Sequence, residues 1–419
     1  MRLVKTVQQR RKKTAAAFAA FALALGLANA APAAPVSAAG GAPEAVAPTA
    51  ARIHFANGAA SSGWLPFEFF GETRIFVTAR VNGRPTQVML DSGASSTVLD
   101  RRFAASLGLV AKGDLVGEGG GGSASYSELH GVTLTLGDLS LTTDAAVALD
   151  LAPVETQVGH PLPVVLGGEV FRDLVVDIDF KGRRIAFRDP ARFRAPQGAQ
   201  LAAMTPSGEN QAIVAIVDGR PAKLLFDLGN ASALALFPRF WDKPAFIANR
   251  SVSATMAGGW GGMGVDGLTM VHSVTLGGAR FRNLPARLEG LRSADARGGE
   301  LDGNLGMPVL SRFHLVIDFG RHRVYFAPPI DTARAFAVNH AGLTLQPGAQ
   351  GAKILFVAAH SPAEAAGLSV GDVIVAVDGS EGGGQGARQS AWLFEPVGKT
   401  LRIHLADGRV RTLKTARYF

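Results

Sequence analysis

The chain contains no cysteine. That excludes disulfide bonds, thiol nucleophiles and cysteine metal sites, so stability has to come from apolar cores alone. No Gly-x-Ser-x-Gly element marks an activated serine. The nine histidines show no metal-ligand spacing, and His54, His130, His160, His272 and His314 read as structural or surface residues. Acidic residues are missing from residues 1–30. Neither a metal, a cofactor nor a covalent nucleophile is indicated.

The formal net charge of +8 looks basic, but Arg2, Lys5, Arg10, Arg11, Lys12 and Lys13 all precede Thr14. Without them the chain is close to neutral, and nucleic acid is not an expected partner. An uncharged Ala/Leu/Phe-rich run, Thr14 to Leu27, follows, and then Ala28-Asn29-Ala30. A basic start, a short apolar run and an Ala-x-Ala site predict a signal peptide over 1–30. The run is short for a membrane span, so no stable membrane insertion is expected after cleavage. Arg10-Arg11 matches the twin-arginine route in the pair itself, while the residues after it fit that pattern poorly. An exported chain without disulfides points to a bacterial periplasmic or secreted location. Residues 31–63, rich in Ala, Pro, Gly and Ser, are expected to form a linker.

What is present twice matters most. Val81-Asn-Gly-Arg-Pro-Thr-Gln-Val-Met-Leu-Asp91 matches Val217-Asp-Gly-Arg-Pro-Ala-Lys-Leu-Leu-Phe-Asp227. In both, an Asn-Gly or Asp-Gly turn joins two strand-like runs, and the second run ends on aspartate. Both copies also close alike. Leu166-Gly-Gly-Glu-Val-Phe leads to Val176-Asp-Ile-Asp-Phe, and Leu305-Gly-Met-Pro-Val-Leu leads to Val316-Ile-Asp-Phe. Matches in the same order and at nearly constant offset define an internal duplication. Two β-rich lobes are expected over 64–195 and 196–330. Asp177, Asp179 and Asp318 in the closing segments read as strand-end residues.

Two lobes that each place an aspartate after a buried strand predict a carboxylate pair, Asp91 and Asp227, at their interface. Two carboxylates that close share one proton, so one acts as base while the other acts as acid. Such a pair can activate water against an amide carbonyl and protonate the leaving amine. Gly93 and Gly229 allow the chain to turn and aim N–H groups at the carboxylates. With Asp-Ser-Gly-Ala at 91–94, Asp-Leu-Gly-Asn at 227–230, and the closing segments through Leu166-Gly167 and Leu305-Gly306, residues 64–328 resemble the pepsin-like aspartic proteases. That resemblance implies a mostly β, bilobal double β-barrel. It also implies a glycine-tipped flap over the cleft, matched here by Gly119, Gly120, Gly121 and Gly122, with Tyr126 as a substrate-contacting residue. Gly258-Gly-Trp-Gly-Gly-Met-Gly264 is the counterpart in the second lobe. Neither stretch has the lysine or the strand–helix context of a phosphate-binding loop.

The chain departs from that family at Leu228, where Thr or Ser is usual. Ser92 can hydrogen-bond across the interface, and Leu228 cannot return the bond. Around the pair, Ser92, Gly93, Ala94, Leu228, Gly229 and Asn230 are the expected supporting residues. Asn230 is expected to donate to Asp227 while Ala94 offers Asp91 nothing, which predicts that Asp91 holds the shared proton.

Residues 335–419 follow a different pattern. Ser361-Pro-Ala-Glu-Ala-Ala-Gly-Leu predicts a short helix capped by Ser361, and Asp407-Gly408 predicts a hairpin turn. The stretch Ser361 to Gly379 resembles the PDZ domains of bacterial proteases, an α+β fold that binds extended peptides along a sheet edge. Gly342, Leu343, Thr344 and Leu345 are the expected peptide groove. The resulting expectation is an exported aspartic endopeptidase whose partners are polypeptide substrates or protein C-termini. Two alternatives stay open: a non-catalytic peptide-binding scaffold, and a pairing of first lobes from two chains that needs Asp91 alone.

Overall fold

The computed structural model describes residues 51–119, 122–290, 300–328, 330–378, 380–381 and 390–419. The expected signal peptide, Gly120 and Gly121 lie outside the described residues. Part of the expected linker, 31–63, is structured. Arg52–Phe55 is a strand, antiparallel to Leu139–Thr143, and Ser61 bridges Arg188. Ile53 and Phe55 explain the difference, because both pack on the main core.

The two matching sequence segments form matching hairpins. Arg74–Val81 turns into Arg84–Leu90, and Asn210–Val217 turns into Arg220–Phe226. At the two turns, Asn82 and Gly83 have φ of 46° and 81°, and Asp218 and Gly219 have 47° and 81°. Positive φ at both central residues is the hairpin turn that Asn-Gly and Asp-Gly favour. A third strand then returns to each hairpin. Val164–Leu166 runs parallel to Arg84–Leu90, and Gly303–Leu305 runs parallel to Arg220–Phe226. A strand buried on both faces needs apolar residues throughout, which is why Val88, Met89 and Leu90 do not alternate with polar ones.

The closing segments join the lobes. Val175–Asp179 pairs antiparallel with His314–Asp318, and each pairs with its own hairpin partner, Arg184–Arg188 and Arg323–Ala327. Leu65–Phe70 and Gln200–Ala203 complete this shared floor at its two ends. Asp177 is a correction to the strand-end reading. It lies in the middle of its strand, buried, where Arg188 Nε reaches it at 2.8 Å and His314 Nε2 at 2.6 Å. One apolar cluster runs through both lobes, with Phe319 packed on Phe171 at 5.5 Å and on Phe226 at 6.1 Å. A shared floor and a shared core hold the two loops that carry Asp91 and Asp227 in one frame.

The C-terminal residues form a separate antiparallel sheet with its own core. Its edge strand is Leu343–Gln346, beside Ala352–Val357. The short helix Pro362–Ala365 is capped as predicted: Glu364 N donates to Ser361 Oγ at 3.3 Å. The whole is mostly β: two large sheets that carry the matching hairpins, and a smaller one at the C-terminus.

Candidate active site

Each aspartate is the first residue after a buried strand, and its N–H is taken up by the returning strand. Asp91 N donates to Leu166 O at 3.0 Å, and Asp227 N donates to Leu305 O at 3.1 Å. The loops then fold back on the carboxylates. Gly93 N donates to Asp91 Oδ1 at 2.8 Å and Ala94 N to the same atom at 3.2 Å. Gly229 N donates to Asp227 Oδ1 at 2.8 Å.

The two loops interlock. A Cβ at Gly93 would lie 2.6 Å from Asp227 Cγ, and one at Gly229 would collide with the Asp91 carboxyl. Only glycine admits so close an approach. Ser92 Oγ bridges the lobes: it donates to Phe226 O at 3.0 Å and accepts from Leu228 N at 3.0 Å. The Leu228 side chain returns no hydrogen bond. It is fully buried in the core shared by the lobes, so apolar packing stands where a second hydroxyl bridge would be.

Asn230 acts at one remove from its expected place. Its Nδ2 donates to Asn304 Oδ1 at 2.9 Å, and Asn304 Nδ2 donates to Asp227 Oδ2 at 2.6 Å. Ser232 N donates to Asn230 Oδ1 at 2.9 Å. A backbone N–H can only donate, so it fixes the orientation of both amides and aims a donor at Asp227. Register places Val165 in the first lobe where Asn304 stands in the second. There Ala94 packs on an apolar cluster containing Val165, Val98 and Phe76. Asp227 therefore takes donors on both oxygens. Among the described residues Asp91 takes them on Oδ1 only. Burial pushes Asp91 up to about 7, the neighbouring Asp227 adds to this by charge and by hydrogen bond, and Gly93 N–H and the Arg74 cation pull the other way.

Sequence reasoning missed two residues, Asn304 and Arg74. The signal for Asn304 was legible, since aligning Val164-Val165-Leu166 with Gly303-Asn304-Leu305 sets one amide against a valine in a strand that should be apolar. Arg74 opens the strand Arg74–Val81, and both carboxylates act on its charge while burial lowers its pKa. No motif marked it.

Two glycine-tipped hairpins come together in space. Lys112–Gly119 pairs with Gly122–Leu129, and Ser253–Gly259 pairs with Gly262–Leu276. A Cβ at Gly122 would come within 2.8 Å of Gly261 O, so the tips touch. Tyr126 packs against the apolar cluster that borders Ala94, and a Cβ at Gly117 would sit 3.1 Å from its ring. The second hairpin also touches the C-terminal domain. Thr344 Oγ1 donates to Met256 O at 3.2 Å and accepts from Met256 N at 3.3 Å.

The expected groove residues divide. Leu343 is buried in the C-terminal core, so it lines no groove. Gly342 has φ of 82°, and its N–H donates to Asn339 Oδ1 at 2.9 Å. Thr344 faces the hairpin, and Leu345 borders a cavity of about 340 Å³ between that hairpin, the helix Ala152–Val158 and Leu355.

The profile of the family described as aspartyl protease matches residues 77–170. This is the part of the first lobe that carries Asp91. No curated protein matches the chain. Among solved structures, the aspartic proteinase from Irpex lacteus is similar with a TM-score of 0.41 and 16% identity, over 66% of this chain and 99% of that one.

Proposed function

We propose that the chain is an exported aspartic-type endopeptidase that cleaves polypeptides through water activated by Asp91 and Asp227. The observation that carries this reading is the interlocked carboxylate pair, with donors arranged unequally around its two members. Both aspartates come from one chain, which favours an intramolecular pair over a pairing of first lobes. The family match over 77–170 supports the same chemistry.

The unequal donors assign the roles. Asp91 holds the shared proton and Asp227 is the base. A water between them loses a proton to Asp227 as its oxygen bonds to the amide carbon, and the Asp91 proton passes to the carbonyl oxygen. The resulting diol returns a proton to Asp91 while Asp227 protonates the nitrogen, and the C–N bond breaks. Both carboxyls end as they began. Activity is expected from mildly acidic pH up to about 7, where Asp91 loses its proton.

The C-terminal domain is read as a PDZ domain that recruits or gates substrates. The motif from Ser361 to Gly379, the edge strand Leu343–Gln346 and the capped helix support this reading. A periplasmic or secreted location rests on the basic and apolar pattern of residues 1–30. Leu228 favours a second reading, a binding scaffold without chemistry.

Cleavage of casein between pH 3 and 8, by the chain lacking residues 1–30 and by its Asp91→Asn and Asp227→Asn variants, tests these readings. Loss of activity in both variants is expected. Loss in Asp91→Asn alone would support paired first lobes, and an inert parent protein would support the scaffold.

A further inference from the structure

The cleft holds a cation that the proposed chemistry does not require. In the hairpin of Leu65–Phe70 with Arg74–Val81, Phe70 is opposite Arg74 and Glu68 is opposite Phe76. Opposed residues and residues two apart share one face of a sheet. Ile75 and Val77 take the other face, into the main core. Arg74 therefore stands on the face of Phe70 and Phe76, which belong with Ala94 and Tyr126 to the apolar wall beside Asp91.

The duplication gives a second view of this position. The counterpart of Arg74 at the start of the matching strand is Asn210. Asn210 Nδ2 crosses to the other lobe and donates to Gly93 O at 3.1 Å, and its Oδ1 is buried without a partner. A side chain at this place reaches the aspartate loops. Both Asp91 and Asp227 act on the Arg74 charge.

Arg74 is half-buried, and its hydrogen bond runs from Nη1 to Thr73 O at 3.1 Å. Among the described residues no carboxylate lies within ion-pair distance of it. The acids of its own hairpin are engaged elsewhere: Glu72 meets Arg334 at 2.8 Å and Arg183 at 3.6 Å, and Glu68 meets His160 at 3.5 Å. A guanidinium has five donors in a planar fork that fits a carboxylate. Here most of that fork is left for a ligand, next to an apolar wall.

We propose that Arg74 binds a carboxylate of the substrate, so that the cleft selects peptides with an apolar side chain for the wall of Phe70, Phe76 and Tyr126 and an acidic group close to it. The proposal rests on the reading of the cleft as a peptide-cleaving site. The acidic group is either an Asp or Glu side chain or a free C-terminus.

The test is calorimetric binding of short apolar peptides in which a hydroxyethylene group replaces the scissile amide. Matched peptides carry Asp or Asn beside that group, and each is made with a C-terminal acid or amide. The full-length protein is compared with Arg74→Gln and Arg74→Lys. The expected result is about tenfold tighter binding of one acidic form, as for a hydrogen bond to a charged group. That preference disappears in Arg74→Gln, shrinks in Arg74→Lys and weakens with salt. The side-chain and C-terminal arms show which carboxylate is read. Equal binding of acidic and neutral peptides by the parent protein overturns the proposal, as does a preference that survives in Arg74→Gln. If the parent binds none of the peptides, the peptide-cleaving reading itself falls and takes the proposal with it.

Discussion

Asn304 and Val165 occupy the same place in the two lobes, and only Asn304 touches a carboxylate, donating to Asp227 Oδ2 at 2.6 Å. The lobes share a backbone and differ in polarity at the point where the proposed chemistry needs its two carboxyls to differ. Asn304→Val with Asn230→Ala gives the second lobe the residues of the first and leaves neither side-chain amide without its partner, while Ser232 N–H loses its acceptor. Cleavage of casein at mildly acidic pH is expected to slow about tenfold, the size of a charge-assisted hydrogen bond. An unchanged rate would remove Asn304 from the proposed mechanism.

A half-buried acid raised to about 7 also affects stability. The folded state binds this proton more tightly than the unfolded state does. The contribution is full below the unfolded value of about 4 and is lost as pH rises through about 7. Asp91→Asn, which cannot ionise, is expected to be more stable than the parent at pH 8, by on the order of 2 kcal/mol. The gain should be small at pH 4. Thermal unfolding at the two pH values reads this directly.

Ser92 and Leu228 carry unequal weight in the interlock. Ser92→Ala strands a buried backbone N–H and C=O and is expected to cost about 2–4 kcal/mol. Leu228→Thr trades a fully buried apolar side chain for a hydroxyl bridge. Lost burial of about 1.5–3 kcal/mol outweighs a hydrogen bond of about 1. Denaturant unfolding should rank Ser92→Ala below Leu228→Thr, with Leu228→Thr below the parent. If Leu228→Thr were the more stable protein, the packing account of Leu228 would be wrong.

Thr344→Val removes the hydroxyl that binds both backbone groups of Met256 and keeps the side-chain shape. Amide exchange in Ser253–Gly259 and Gly262–Leu276 is expected to quicken in this variant, most at Met256 N–H. Unchanged exchange would mean that the C-terminal domain does not restrain the hairpin.

Much of this arrangement was legible without coordinates. The duplicated Asn-Gly and Asp-Gly turns and the apolar runs ending on Asp91 and Asp227 specify two hairpins and two carboxylate loops through local rules of turn and burial. The N–H groups of Gly93 and Gly229 reach the Asp91 and Asp227 carboxylates for the same reason. Asn230 was given the wrong partner because hydrogen-bond reach depends on a neighbour, Asn304, that lies far along the chain. Leu343 was assigned to a groove because the sequence pattern does not say which face of an edge strand meets the core.

Local propensity and repetition, which act over a few residues, determined the matching hairpins, the loops that carry Asp91 and Asp227, and the capped helix. Only the tertiary structure decided how the pair is made unequal, that the hairpin tips touch, that Thr344 binds the second hairpin, and that Arg74 shares a face with Phe70 and Phe76. These depend on contacts between residues distant in sequence, whose geometry is set by packing across the lobe interface and not by any segment alone.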